Sequence, residues 1–182
     1  MRIEVVRGDI TREQVDAVVN PASSSLVAGG GVCGAIHRAA GPALAGECRQ
    51  VRRTIYPDGL PVGAAVATRA GMLPTRWVIH TVGPHARGGE TDPFLLAACF
   101  VSSLREAADL GVRSVAFPAV GAGALGWDPS VVARVAIGAI RDGADRDGGG
   151  SVDTVRFVLL DEDALEAFSG ELEPMAVAGR PS

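Results

Sequence analysis

Apolar residues in this chain fall into short β-branched runs separated by longer stretches with helical spacing. Ile3 to Arg7 predicts a strand, broken by Gly8-Asp9-Ile10-Thr11. Thr11, with Gln14 three residues on, predicts a capping box for one helical turn. Ala17 to Asn20 is apolar without alternation until its last residue, which suits a strand covered on both faces. A helix is predicted from Val32 to Cys48, with Ile36, Ala39 and Ala40 on one face. Gly41-Pro42 interrupts it, so Ala43 to Arg52 forms a second helical piece behind a first-turn proline. Tyr56 to Gly63 is turn-rich, and Ala64–Arg69 and Trp77–Val82 are the next strands. A polar loop, Gly83 to Pro93, precedes a helix to Leu110 with Leu96, Phe100, Leu104 and Ala107 along one face and Gly111 as its cap. Ser114–Pro118 predicts a strand and Pro129 to Arg141 a helix, with Asp128 as its N-cap. A hydrophilic loop with Gly148-Gly149-Gly150 separates that helix from a last strand, Asp153–Leu160, and a last helix, Asp161 to Phe168.

Strands alternating with helices predict an α/β fold, a three-layer α/β/α sandwich around a mixed, largely parallel central sheet. No internal repeat is present, and the 182 residues suit one domain, over residues 1–170, followed by a flexible tail at 171–182. In such sheets ligands sit outside the carboxyl ends of the strands.

Two glycine-rich loops follow strands directly, and so belong to that edge. The first lies within Asn20–His37 and carries Gly29, Gly30 and Gly31 ahead of a helix. Its glycines allow close backbone approach, and the helix aims unpaired N–H groups and its positive dipole end at the loop, which suits phosphate or diphosphate. The second, Gly121-Ala-Gly-Ala-Leu-Gly126, has the dinucleotide spacing GxGxxG. Trp127-Asp128-Pro129 stand between it and the next helix, and too little chain remains for a Rossmann half, so a backbone phosphate cradle is the better reading.

Cys33 and His37 are one helical turn apart. A cysteine at a helix start favours thiolate, so the pair suits nucleophile and base, or two metal ligands. A space-filling thiol and a histidine packed against the loop or the core are the commoner roles for such residues. Asp9, directly after a strand, can accept from an exocyclic amine or simply cap a turn. His80, inside an apolar strand, and His85, in a polar loop, read as structural.

Composition narrows the classes. Hydrophobic residues make up 47% of the chain, ample for a core. Seventeen basic against twenty-one acidic residues give a net charge of −4, the wrong sign for bulk attraction to nucleic acid. Three cysteines without CxxC spacing argue against a disulfide framework or structural zinc. Met1-Arg-Ile-Glu-Val-Val lacks the pattern of a signal peptide, and no apolar run reaches membrane-spanning length, so a soluble, cytoplasmic protein is expected.

Taken together, the motifs resemble those of a macrodomain, the ADP-ribose-binding fold, and most closely the mono-ADP-ribosyl and O-acetyl-ADP-ribose hydrolases. The likeness runs from about Arg2 to Phe168 through Gly8-Asp9-Ile10-Thr11, Val15 to Asn20, Gly29 to Gly41, Val78-Ile-His-Thr-Val-Gly-Pro84 and Phe117 to Gly123. The resemblance implies that Asp9 and the Ile10 N–H take adenine and that Leu160 covers it. It implies that Gly30, Gly31, Val32 and the backbone of Gly121, Ala122, Gly123, Ala124 and Leu125 hold the diphosphate, and that Asn20 borders the distal ribose. Hydrolases of this class usually carry aspartate where Cys33 stands, a second asparagine where Ser23 stands and an aromatic where Leu125 stands; His37 matches their pattern. A thiol lacks a carboxylate's charge and acceptor oxygens, so a water held by the ligand's own phosphate is the mechanism implied. Cys33, His37 and Ser23 are the candidate catalytic positions. The expected partners are ADP-ribose and mono-ADP-ribosylated proteins, with no cofactor, metal, nucleic-acid recognition or membrane association.

Overall fold

The computed structural model of the chain describes residues 1–146 and 150–172. Strand β1 (Arg2–Arg7) leads through a 3-10 turn, Ile10–Arg12, to β2 (Ala17–Pro21). Helices α1 (Gly31–Ala40) and α2 (Pro42–Thr54) follow, then β3 (Ala65–Arg69) and β4 (Trp77–Thr81). The rest comprises α3 (Pro93–Asp109), β5 (Ser114–Phe117), α4 (Pro129–Arg146), β6 (Thr154–Leu159) and α5 (Glu162–Leu172). The sheet order is β1-β6-β5-β2-β4-β3. Every neighbouring pair is parallel except β3–β4, so the sheet is mixed with one antiparallel edge strand.

Strand alternation sorts the core into two layers. Ala17, Val19, Val115, Phe117, Phe157 and Leu159 face one side, packed with residues of α3, α4 and α5 such as Leu96, Phe100, Ile137 and Phe168. Val18, Val78, Ala116 and Val158 face the other, with Ile36, Ala40, Leu44 and Val51 of α1 and α2. Both faces are therefore covered, which is why β2 reads as apolar without alternation.

The helix starts obey the expected chemistry. Asp92, Asp128 and Asp161 accept hydrogen bonds from Phe94 N, Ser130 N and Ala164 N at 2.9, 2.8 and 3.1 Å. The first turn departs from expectation: Asp9, not Thr11, is the cap, its Oδ1 accepting from Thr11 N at 3.0 Å and Thr11 Oγ1 at 2.7 Å. An Asx turn reaches two residues on, which a residue already inside the turn cannot do. Helix α4 runs five residues past the expected Arg141, and α5 reaches Leu172, so Glu171 and Leu172 belong to a helix rather than a tail. The rest of the expected tail, and Gly148 and Gly149 of the expected loop, lie outside the described residues.

Strands β2 and β5 are held together at one end and separate at the other. At their amino ends Asp16 joins them, its Oδ2 accepting from Arg113 N at 2.9 Å and Ser114 N at 3.0 Å. Toward their carboxyl ends they part: only Ala17↔Val115 and Val18↔Ala116 are paired, whereas β2 stays paired with β4 through Pro21↔Thr81.

Candidate functional site

Five mutually parallel strands deliver their carboxyl ends to one edge in the order β1, β6, β5, β2, β4. Asp9 and Ile10 therefore come after β1, Leu160 after β6, the loop 118–128 after β5, and the loop 22–30 after β2. Along this edge run two adjoining cavities. One, of about 370 Å³, is lined by Ile10, Ala122, Pro129, Leu160 and Asp161 among others. The other, of about 440 Å³, is lined by Ser23, the three glycines 29–31, Cys33, Gly121 and Leu125 among others. Val32, Pro118, Ala119 and Gly123 line both, so the two form one elongated cleft.

The cleft's donors come from main chain. Helix α1 begins at Gly31, and its first internal bond runs from Gly34 N to Gly30 O at 3.1 Å. The N–H groups of Gly31, Val32 and Cys33 thus have no helical partner and carry the positive dipole end. Gly34 lets α1 sit tightly on the loop, for a Cβ there would stand 2.3 Å from the Gly29 carbonyl oxygen. In the second loop, Gly121 adopts φ +101°, which favours glycine. Ala122 N bonds Ala119 O and Gly126 N bonds Gly123 O, while no protein acceptor takes the N–H of Gly121, Gly123, Ala124 or Leu125 among the described residues. Ala122 therefore contributes a wall rather than a free donor. Trp127 holds the loop down, donating from Nε1 to the Pro84 carbonyl at 2.9 Å.

At the other end of the cleft lies a buried polar chain. Asn20, fully buried, donates from Nδ2 to His80 Nδ1 at 3.0 Å and approaches Cys33 Sγ at 3.7 Å. An amide nitrogen only donates, so His80 Nδ1 accepts and Nε2 carries the proton toward Thr68 Oγ1 at 2.9 Å. Burial lowers the His80 pKa to about 3, with His37 nearby adding to the effect, so the ring is neutral. Cys48 Sγ lies 3.7 Å from the same Nε2, and burial pushes its thiol up to about 11. Asn20 Oδ1 is a buried acceptor with no protein partner among the described residues.

The expected site residues divide accordingly. Ile10, Gly30, Gly31, Val32, Gly121, Ala122, Gly123, Ala124, Leu125 and Leu160 line the cleft, as do Ser23 and Cys33. Asn20 lies against Cys33 but is fully buried and lines neither cavity, so it backs the cleft rather than facing it. Asp9 stands one residue before Ile10, its carboxyl held below the usual range chiefly by the Thr11 hydroxyl. His37 also lies outside the cleft lining. It is buried on α1, its ring 6.4 Å from that of His80, and it lines a separate cavity behind the first loop rather than the cleft. Burial lowers its pKa. Sequence reading missed Ala22, Val27, Pro118, Ala119 and Asp161; the continuation of each strand beyond its last paired residue is the signal that could have found most of them.

A family model described as Macro domain matches residues 19–136. The chain belongs to the macro domain family. The O-acetyl-ADP-ribose deacetylase of Citrobacter rodentium is 45% identical over 92% of this chain and 93% of its own length. Among solved structures, the Oceanobacillus iheyensis macrodomain with ADP superposes with TM-score 0.87 at 34% identity, covering 93% of this chain and 89% of that one. The Trypanosoma brucei macrodomain in complex with ADP-ribose gives 0.82 at 35% identity, covering 92% and 68%. The three-layer sandwich is the macro fold, and no helix among the described residues is long and apolar enough to cross a membrane.

Proposed function

We propose that this macrodomain binds ADP-ribose and hydrolyses the acyl ester at its distal ribose. It would release mono-ADP-ribose from acidic side chains of cytoplasmic proteins, or acetate from O-acetyl-ADP-ribose. The observation that carries this is the elongated cleft with two backbone cradles at its middle and Ser23 and Cys33 lining one end. Adenine fits the Ile10–Leu160 end, with Asp9 beside it. The diphosphate meets the free N–H groups of both loops, which need no positive side chain to bind anions. The distal ribose then lies by Ser23 and Cys33, with Asn20 buried directly behind Cys33. The likeness to an O-acetyl-ADP-ribose deacetylase supports the reaction class.

Hydrolysis replaces the carboxylate at the distal ribose by water. The ester C–O bond breaks, the carboxylic acid leaves, and the ribose keeps a hydroxyl. With a thiol at position 33, the protein's contribution is to hold ester and water together beside the diphosphate, and positioning of that kind can supply much of an acceleration. One observation favours a second reading, an ADP-ribose reader without turnover: among the described residues, no carboxylate lines the Cys33 end of the cleft. Incubation with glutamate-linked mono-ADP-ribosylated protein and with O-acetyl-ADP-ribose separates the two. Product release at a rate proportional to enzyme supports the hydrolase; tight ADP-ribose binding with neither product released establishes the reader.

A further inference from the structure

Behind the first glycine loop lies an open cavity of about 680 Å³, walled on one side by α2. Its walls carry apolar Leu26 and Ala45, the buried His37, and three arginines, Arg49, Arg52 and Arg53. We propose that this cavity receives the acidic flank of the protein chain that carries the ADP-ribose, and so selects substrates by the sequence around the modified residue. The inference rests on the proposed ADP-ribosyl ester hydrolysis.

Position is the first argument. The loop 23–28 and helix α1, which carries Cys33 in the cleft and His37 in the cavity, lie between the two. Val27 lines both, and Ser23 on the cleft side hydrogen-bonds Ser25 on the cavity side at 2.9 Å between hydroxyl oxygens. A polypeptide esterified to the distal ribose leaves the cleft at this end, and crossing that loop brings its neighbouring residues over α2. The dividing loop is firmly built. Leu26 is buried at φ +57°, a conformation that a bulky side chain holds only under strong constraint, and Ser24 O accepts from Leu60 N at 2.9 Å.

Charge is the second argument. Among the described residues, no carboxylate lines the cavity and none of the three arginines is ion-paired. The carboxylate next along α2, Glu47, is turned toward the Arg69 amide at 3.5 Å. Arg52 donates to the Tyr56 carbonyl, which fixes its guanidinium, while Arg49 and Arg53 are exposed and free to meet carboxylates. A chain with net charge −4 thus concentrates positive charge beside the exit of its cleft. Residues near an ester formed on glutamate or aspartate in an acidic segment complement it.

The test uses the full chain and two synthetic peptides, each mono-ADP-ribosylated on one glutamate, one flanked by aspartates and glutamates and the other by serines and lysines. Wild type should favour the acidic conjugate roughly tenfold in kcat/KM, through KM, with the preference shrinking in high salt. The double variant Arg49→Ser, Arg53→Ser should lose the preference and keep its rate on O-acetyl-ADP-ribose and its Kd for free ADP-ribose. Dissociation constants of the same conjugates report the preference even without turnover. Equal treatment of the two conjugates by wild type overturns the proposal, as does a double variant equally impaired on O-acetyl-ADP-ribose. Failure of wild type to bind free ADP-ribose overturns the cleft assignment and this inference with it.

Discussion

Replacing Gly34 with alanine disturbs the cleft without adding an atom to it. The new Cβ would sit 2.3 Å from the Gly29 carbonyl oxygen and 3.0 Å from Arg38 Nη1, whereas ordinary contacts begin at 3.4 Å. The arginine can swing away; the carbonyl belongs to backbone and must retreat by about 1.1 Å. Helix α1 cannot yield instead, because Ile36 and Ala40 on it are fully buried in the core. The displacement therefore falls on the loop 29–31, whose N–H groups are the proposed diphosphate donors. Hydrogen bonds lengthened by about an ångström are largely lost, and each bond to a charged group is worth about 1.5–3 kcal/mol. Loss of one such bond predicts a roughly 10- to 100-fold weaker Kd for ADP-ribose. The fold feels opposing effects: alanine gains about 1 kcal/mol of helix propensity, and overpacking costs about 1–3 kcal/mol. Thermal stability should change by a few degrees at most. Titration calorimetry with ADP-ribose beside thermal unfolding of the free protein checks both. Gly30→Ala, whose Cβ would meet nothing within 4 Å in the free protein, is the contrasting case and should weaken binding while leaving stability nearly unchanged. A Gly34→Ala protein that binds ADP-ribose as tightly as wild type would refute the assignment of the loop.

Cys33→Asp places a carboxylate beside Asn20 and is expected to raise kcat on O-acetyl-ADP-ribose by about 100-fold or more; an unchanged kcat means the reaction never draws on this position. Acid should destabilise the protein before its carboxylates titrate. The folded His80 pKa of about 3 lies below the ordinary 6.5, so between these values the unfolded chain binds a proton that the folded chain does not. Stability is full above pH 6.5 and falls below it by up to about 1.4 kcal/mol per unit, or about 2 kcal/mol at pH 5, with His37 acting in the same direction. Urea midpoints at pH 7 and 5 check this, and coincident midpoints contradict it. Trp127→Phe leaves the Pro84 carbonyl without its donor, which should cost about 1–3 kcal/mol in chemical unfolding and loosen the second loop enough to weaken ADP-ribose binding; a variant matching wild type in both assays shows that the indole bond anchors nothing.

Much of the fold was legible because most strands are apolar runs ended by glycine or polar residues, and the two longest helices announce themselves with aspartate and proline, at Asp92-Pro93 and Asp128-Pro129. Local chemistry misled where two caps compete. Thr11 with Gln14 has the spacing of a capping box, but Asp9 sits two residues upstream and takes both the Thr11 N–H and the Thr11 hydroxyl proton. The cleft's walls were legible from the glycine loops, since backbone donors need only glycines and a helix start. His37 was not. A histidine one turn from Cys33 reads as a partner for it, yet the direction of a side chain across a helix is set by what packs against that helix, here α2 and the buried His80. Sequence spacing carries no record of the cavity behind the loop.

The parting of β2 and β5 has a mechanical consequence. The sheet consists of two leaves, β1-β6-β5 and β2-β4-β3, joined by two residue pairs and pinned at the base by Asp16. One glycine loop rides on each leaf. A ligand gripped by both bridges the seam where the ladder stops, and so works as a missing rung. Binding should then stiffen strand interiors as well as the loops, slowing amide hydrogen exchange in the last residues of β2 and β5. Release of the ligand becomes a matter of how readily the seam breathes.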